Sequence, residues 1–321
     1  MTRLPFLELI SDELEQVEAL LRERPPEQHP AIGGAVEHLA DGGGKRLRPA
    51  LVLLSSYLCG AERQRAVYAA VGVEMLHTAT LVHDDLIDGA LMRRGVETLN
   101  AQWTPAATVL TGDYVFARAA YLVAQTGSVR LMQRFAETLM TICNGEIRQL
   151  FDGKSASLSR EAYERRIYAK TASLIVLSTE AGAILSEAGE ETISALRTYG
   201  DRVGTAFQIM DDVLDFVADR DVLGKPVGSD LRQGLVTLPV LLFLETEPDH
   251  PVVLRALEEI PSREVAEEAA RIVAASPALE QAIEVAHGYA DQAKRALEIF
   301  PDGAYRGALL DVAEFTVRRR F

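Results

Sequence analysis

Hydrophobic residues recur along most of this chain at three- and four-residue spacing, which is the pattern of amphipathic helices. Alternating apolar and polar residues, the mark of half-buried strands, are scarce. No proline occurs between Pro105 and Pro226, so long helices can run unbroken through the middle of the chain. We therefore predict an all-α protein, a single domain over residues 1–321 built as a large helical bundle. The predicted helices span 8–24, 29–40, 49–60, 64–91, 105–126, 129–151, 160–188, 191–219, 235–246, 251–259, 262–274, 277–298 and 303–319.

Two of these helices carry the same acidic pattern inside an apolar stretch. The two motifs are Asp84-Asp85-Leu86-Ile87-Asp88 and Asp211-Asp212-Val213-Leu214-Asp215. Residues four apart share a helix face, so the first and last aspartates of each motif are expected to stack. Like charges at this spacing destabilise a bare helix, and a hard cation would relieve them. Two such helices facing each other would form an acidic cleft suited to Mg²⁺, which keeps waters and completes its shell with substrate phosphates.

Composition narrows the class of protein. Hydrophobic residues make up 48% of the chain and charged residues 25%, as in a globular protein with a sizeable core. The formal net charge of −14 argues against nucleic acid or anionic membrane as a partner. The only cysteines, Cys59 and Cys143, predict a reducing compartment. With no signal peptide and no transmembrane segment evident, we predict a cytoplasmic location.

A glycine-rich basic segment lies at 42–49, with Lys45 and Arg48 just before a predicted helix that begins at Pro49. Cations are badly placed there for the helix dipole, which favours anions. A bound diphosphate would resolve the conflict by accepting bonds from the helix N–H groups and from both side chains. The segment is not a phosphate-binding P-loop, because its glycine order differs. A mobile cationic loop is the alternative.

Further polar side chains lie near the acidic motifs. They are His77, Arg93, Arg94, the pair Lys170-Thr171 inside a predicted helix, and Lys225 in the turn-rich segment 224–230. Taken singly, each has an ordinary structural explanation: a satisfied core histidine, surface cations near a helix end, a solvated lysine. Taken together with two aspartate triplets and the basic segment, they predict a site for two diphosphates, one bridged by metals and one held by cations.

In this order the motifs resemble those of the trans-isoprenyl diphosphate synthases, the polyprenyl synthetase family. The resemblance covers residues 43–239 and rests on GGKRLRP, HxxxxxxDDLID, RRG, KTA, FQIMDDVLDF and GKPxGxD. It implies an all-α bundle around a deep central cavity, usually a homodimer. The implied reaction joins isopentenyl diphosphate head-to-tail to an allylic diphosphate and releases inorganic diphosphate.

The resemblance also implies how the metals are held. Three Mg²⁺ ions would bind the allylic diphosphate through Asp84, Asp88 and Asp211. Supporting carboxylates, acting directly or through water, would be Asp85, Asp212 and Asp215. Metals and cations would stabilise the departing diphosphate and so make an allylic carbocation accessible.

The remaining implied roles concern the substrates. The allylic diphosphate would be neutralised by Arg93, Lys170 and Lys225. The diphosphate of isopentenyl diphosphate would be held by Lys45, Arg48, His77 and Arg94. The reacting carbons would be faced by Thr171 and Gln208, in a cleft also lined by Gln149 and Asp152. The C-terminal Arg318-Arg319-Arg320 would cap the isopentenyl diphosphate site or form a surface tail.

Two departures bear on substrate and product. Leu235 stands where the family typically has a lysine for the allylic diphosphate, so one cation is missing. Ala79 and Thr80, one turn before Asp84, are small where short-chain members carry bulky aromatics, which predicts a product beyond fifteen carbons. The growing product would occupy a tunnel below the first acidic motif. Candidates for the floor of that tunnel are the deeper residues Val73 and Met140.

Two alternatives stay open at this point. A class I terpene cyclase would use the same first acidic motif, but such enzymes usually carry a different metal motif in place of the second. A non-catalytic or partner-dependent subunit of a two-component prenyl synthase fits the lost lysine at Leu235. Such subunits usually lose aspartates, however, and all six are present here.

Overall fold

Helices form almost all of the regular structure. The structure, a computed structural model, describes residues 5–26, 28–41, 46–93, 95–151, 158–217, 228–257 and 261–318. After a 3₁₀ turn at Pro5–Ile10, its helices are α1 (Ser11–Arg22), α2 (Pro30–Asp41), α3 (Leu47–Leu58), α4 (Arg63–Ile87), α5 (Leu99–Gln102), α6 (Pro105–Ala124), α7 (Val129–Phe151), α8 (Arg160–Ile167), α9 (Ser173–Leu185), α10 (Glu190–Val217), α11 (Ser229–Arg232), α12 (Leu238–Thr246), α13 (Pro251–Ala256), α14 (Arg263–Ala274), α15 (Ala278–Ala296) and α16 (Ala304–Val317).

The prediction of an all-α fold is confirmed. Predicted helix ends lie within four residues of the observed ones, the largest difference being 91 against 87. Helix starts follow their sequence signals: Pro105 opens α6 and the Thr104 hydroxyl accepts the Ala107 N–H, while Ser159 and Ser262 cap α8 and α14. Among the described helices, none combines the length and the apolar character needed to cross a bilayer.

Contacts group the chain into two compact units. Unit 1 contains residues 1–138, 174–197 and 299–309, and unit 2 contains 139–173, 198–298 and 310–321. In unit 1, α4 packs closely on α6, since a Cβ on Gly72 would lie 2.4 Å from the Val123 side chain. In unit 2, a core forms around Tyr163, Ile209 and Val213. The prediction of one domain over the whole chain stays a prediction.

The predicted helix 64–91 ends early, at Ile87, because Gly89 terminates it. Gly89 has φ +62°, a conformation that glycine adopts without steric cost. The Gly89 N–H donates to the Leu86 carbonyl and the Ala90 N–H to the Asp85 carbonyl, which is a Schellman motif. A short antiparallel hairpin follows, β1 (Met92–Arg93) paired with β2 (Val96–Glu97), and it was not predicted.

The predicted helix 160–188 is interrupted. Residues Tyr168–Ala172 form a π-helical turn between α8 and α9. Such turns concentrate at functional sites. This one contains Lys170 and Thr171, the pair singled out in the sequence.

Candidate functional site

The first acidic motif occupies the last turn of α4. Asp84 is half-buried, Asp85 is 5% exposed, and Asp88 is the exposed C-cap residue. The carbonyl end of a helix carries partial negative charge, so carboxylates there are disfavoured unless a cation compensates them. The aspartates are therefore destabilised twice, by the negative end of α4 and by repulsion between their own carboxylates. Carboxylate oxygens at this location are suited to a hard divalent cation.

Arg93 supplies part of that compensation. Its Nε donates to Asp85 Oδ1 at 2.7 Å, and its side chain is 38% exposed. The hairpin carries Arg93 back over the end of α4, which the predicted longer helix would not have done. Arg93 thus lies beside the first acidic motif, as the sequence predicted, and it contacts the aspartate that is most buried there.

His83 also belongs to this neighbourhood, and sequence reasoning missed it. The imidazole packs against Gly112 of α6, where a Cβ would come within 2.3 Å of Nε2. Nε2 lies 3.3 Å from the Val109 carbonyl and 3.5 Å from an Asp113 carboxylate oxygen. These contacts fix the residue next to Asp84 against α6. Two sequence signals could have pointed to His83: it directly precedes Asp84, and α6 carries the neighbouring pair Gly112 and Asp113.

Ala79, Thr80 and His77 lie in the turns of α4 that precede Asp84. Ala79 is 2% exposed, whereas Thr80 is half-buried and its hydroxyl donates to the His77 carbonyl at 2.8 Å. His77 is half-buried on the same helix. Of the two candidate floor residues, Val73 is buried and Met140 is 56% exposed.

The basic segment is described from Arg46 onward. Arg48 is half-buried in the first turn of α3, and Pro49 is buried behind it. Arg46 behaves differently from its neighbour, because its guanidinium binds the carboxylates of Glu18 and Glu74. The Arg46 guanidinium is therefore engaged within the protein.

The second acidic motif is built around Asp212. Its carboxylate, 4% exposed, accepts bonds from Tyr163 Oη and Gln208 Nε2, both at 2.8 Å. Gln208 Oε1 in turn accepts the Thr171 hydroxyl at 2.6 Å. Burial raises the pKa of Asp212 to about 8, nearby Asp230 adds to the rise, and the two hydrogen bonds oppose it. The network joins Thr171 directly to Gln208, two residues predicted to share a site, and extends through Asp212 to Tyr163.

Asp215 has a different set of partners. Its carboxylate accepts the backbone N–H groups of Ser229 and Asp230 at 3.2 and 3.1 Å and the Ser229 hydroxyl at 2.5 Å. It therefore caps α11 and anchors the end of the predicted turn-rich segment. Asp211, predicted as a metal ligand, is half-buried one turn earlier.

Lys170 projects from the π-helical turn towards α7. Its Nζ lies 3.3 Å from Glu146 Oε1, and the lysine is 41% exposed. α7 approaches closely there, since a Cβ on Gly145 would lie 2.5 Å from Ala169 Cβ. The sequence analysis did not predict a role for Glu146. The available signal was its position on α7, one turn before Gln149, a predicted cleft residue that is half-buried.

A cation lies near the position of the missing lysine. Arg166 donates to the carbonyl of Val236, next to Leu235, and its guanidinium carbon lies 5.5 Å from the centre of the Tyr163 ring. Burial still dominates and raises the pKa of Asp212, and the charge of Arg166 opposes part of that rise. Arg166 thus brings positive charge to the second motif from α8, which the sequence did not reveal.

Some predicted residues lie outside the described part of the chain. They are Lys45, Arg94, Asp152, Lys225, Arg319 and Arg320. Within the described residues, no three His, Cys, Asp or Glu side chains form a ready metal cluster. The oxygen donors still fit Mg²⁺, because that ion needs only one or two carboxylates besides waters and substrate phosphates.

Comparison with known proteins identifies the family. The family model described as polyprenyl synthetase matches residues 29–274. Heptaprenyl diphosphate synthase component 2 of Geobacillus stearothermophilus is 40% identical over 315 residues, 97% of each chain. Octaprenyl diphosphate synthase of Escherichia coli K12 is 35% identical over 314 residues, again 97% of each.

A solved structure agrees with this assignment. Polyprenyl synthase of Caulobacter crescentus, complexed with calcium and isoprenyl diphosphate, matches 98% of this chain and 97% of its own, with 36% identity and a TM-score of 0.90. The chain therefore belongs to the polyprenyl synthetase family, whose members are prenyltransferases.

Proposed function

We propose that the chain is a Mg²⁺-dependent, homodimeric trans-prenyltransferase that makes a polyprenyl diphosphate of twenty carbons or more. The observation that carries this proposal is the first acidic motif at the negative end of α4, with Arg93 beside it. An arrangement of carboxylates and one arginine suits a diphosphate bridged by a divalent cation.

Metal ligation is assigned to Asp84, Asp88 and Asp211, with three Mg²⁺ per active site, as the family resemblance implies. When bound, Mg²⁺ supplies Lewis-acid stabilisation of the departing diphosphate. Asp85 and Asp212 act as supporting groups, since each already accepts bonds from protein side chains. Asp215 supports the metal site indirectly, because its carboxylate binds the backbone N–H groups at the start of α11.

The cations divide between the two substrates. Arg93 and Lys170, with Lys225, neutralise the allylic diphosphate. Arg48 and His77, with Lys45 and Arg94, hold isopentenyl diphosphate. Both Arg93 and Lys170 are paired with carboxylates here and are more than a third exposed, so a diphosphate can exchange for those partners.

Thr171 and Gln208 face the reacting carbons. The isopentenyl double bond attacks the allylic cation, and the released diphosphate takes the proton then lost. No side-chain nucleophile is required. The hydrogen bond from Thr171 to Gln208, and from Gln208 to Asp212, holds both side chains in one orientation while the cation exists.

Product length follows from the small residues before Asp84. The short side chains of Ala79 and Thr80 would not block a growing product along α4, and Val73, buried on the same helix, lies further from Asp84. Met140 is exposed on the surface of this chain, whereas Val73 is buried. Val73 is therefore the stronger candidate for the floor of the product tunnel.

An exposed apolar stripe on α7 supports the homodimer. Val129, Met140, Ile147 and Leu150 are each more than half exposed. With Gln133, Ala136 and Cys143 they follow an alternating four- and three-residue spacing along the helix, as in a coiled-coil seam. A second copy of the chain is the occupant proposed for this face. Size measurement of Met140→Glu, Ile147→Glu protein, against the parent, tests the interface.

Partner dependence is the second candidate function. Leu235 in place of a lysine and the name "component 2" of the Geobacillus relative favour it. The six intact aspartates favour self-sufficient activity. The cytoplasmic location remains a prediction.

One assay separates these possibilities. The purified chain is incubated with Mg²⁺, labelled isopentenyl diphosphate and, separately, C5, C10, C15 and C20 allylic primers. Products that stop at a defined length of C20 or more support the proposal and identify the primer. Folded protein that is inactive with every primer supports partner dependence instead, and a C15 product contradicts the product-length argument.

A further inference from the structure

Arg46 lies between two cations predicted to bind substrate, yet its own charge is directed into the protein. Its side chain is 17% exposed. The guanidinium binds both carboxylate oxygens of Glu18, one carboxylate oxygen of Glu74 at 3.0 Å and the Ala40 carbonyl at 3.2 Å. A guanidinium engaged in this way is not available to a diphosphate.

The partners of Arg46 come from three helices. Glu18 lies on α1, Ala40 on α2 and Glu74 on α4, while Arg46 itself is the N-cap of α3. Glu74 is 8% exposed on its side chain, so this ion pair is shielded from solvent. Burial lowers the pKa of Arg46, but Glu18 and Glu74 together outweigh that effect, so the pKa is raised.

The backbone at Arg46 requires such an anchor. Arg46 has φ +48° and ψ +37°, a left-handed conformation that a residue with a Cβ adopts only at a cost. The Ala50 N–H donates to the Arg46 carbonyl at 3.0 Å, so α3 begins from this residue. The direction in which Arg48 leaves the helix start depends on that conformation.

Glu74 connects this anchor to the other side of the site. It precedes His77 by three residues on α4, so both lie on one helix face. Arg46 therefore ties the turn that carries Arg48 to the turn that carries His77. We propose that Arg46 is a positioning residue for the isopentenyl diphosphate site, which it serves through Glu18 and Glu74 without touching the substrate. This inference rests on the proposed function.

The test compares Arg46→Met with a matched control, Arg134→Met. Arg134 also lies in unit 1 and binds two glutamates, Glu137 and Glu180, of which Glu180 is fully buried. We expect Arg46→Met to raise KM for isopentenyl diphosphate about tenfold or more, because small displacements of binding groups are costly. KM for the allylic primer should stay within about twofold, a split that general destabilisation would not produce. Calorimetric titration with isopentenyl diphosphate should show the same loss of affinity.

Glu74→Gln and the double variant complete the test. If the ion pair positions the site, Glu74→Gln raises the same KM, and the double variant is no worse than Arg46→Met alone. Arg134→Met should lower the unfolding temperature while leaving that KM unchanged. If Arg46→Met fails to fold, Glu18→Gln removes one arm of the bridge, and the same KM should rise by less.

Three results would overturn the inference: an unchanged KM in all the Arg46, Glu18 and Glu74 variants, equal rises for both substrates, or an equal effect of Arg134→Met. Failure of the parent protein to elongate any primer would instead count against the proposed function. The two failures are therefore distinguishable in one set of assays.

Discussion

Replacing Tyr163 with phenylalanine removes one hydroxyl from a buried network and alters little else. Tyr163 is 1% exposed, and its hydroxyl donates to Asp212 at 2.8 Å. Phenylalanine keeps the ring, so packing against the unit 2 core is retained. Asp212 would keep only Gln208 as its described side-chain donor.

The size of the effect depends on the charge of Asp212. A hydrogen bond to a charged group contributes about 1.5–3 kcal/mol, and one between neutral groups about 0.5–1.5 kcal/mol. The pKa of Asp212 is raised to about 8 in the metal-free protein. Asp212 is therefore mostly neutral at pH 6.5 and mostly charged at pH 9. Because its pKa is raised in the folded state, the stability that the protonated carboxyl contributes is present at low pH and is lost as pH rises through about 8. We therefore expect Tyr163→Phe to cost about 1 kcal/mol at pH 6.5 and about 2 kcal/mol at pH 9.

Denaturant unfolding in EDTA at these two pH values measures the cost. Tyr289→Phe is the matched control, because Tyr289 makes a long bond of 3.4 Å to the half-buried Glu164 in the same unit. The control should be near neutral at both pH values. Equal losses for the two variants, or a Tyr163→Phe loss that shrinks as pH rises, would refute the reasoning. The same variant should lower kcat, since Gln208 and Thr171 are held through Asp212.

Other predictions concern product length, backbone and metal. Thr80→Phe should shorten the product, seen by chromatography of dephosphorylated prenols, and an unchanged distribution would contradict the placement of the tunnel along α4. Gly89→Ala should cost about 1–2 kcal/mol, because φ is +62° there, whereas Gly303→Ala, with open space and no positive φ, should be neutral in the same unfolding assay. EDTA should abolish turnover and Mg²⁺ restore it, with unchanged circular dichroism, because Arg93 already neutralises Asp85 without metal; activity persisting in EDTA would exclude the metal role.

Much of the architecture could be predicted from the chain. Helical periodicity, the gap in proline and the caps determine where α6, α7 and α10 lie, because these signals are local. The acidic motifs could be recognised because carboxylates in apolar helices are costly without a function. The helix positions and the acidic motifs could be predicted because each depends on residue spacing within one helix.

The rest depends on contacts between distant residues. Tyr163 is unremarkable in sequence, and its role appears only when its hydroxyl meets Asp212. Arg46 looks like a third substrate cation until two glutamates from other helices surround it. Gly89 did carry a local signal, since glycine after a helical run ends helices, but the apolar pattern through Leu91 outweighed it.

The π-helical turn at Tyr168–Ala172 has a consequence for angular phase. Each α-helical residue advances the side-chain direction by about 100°, so residues eight apart point about 80° from each other. One residue taken up by the wider turn makes them behave as if seven apart, or about 20° from alignment. Tyr163 and Thr171 stand eight apart and yet both reach the Asp212 network. By this arithmetic, deleting one residue from the turn would leave a regular α-helix in which Tyr163 and Thr171 stand seven apart and keep their alignment, whereas inserting one residue would rotate them about 80° apart.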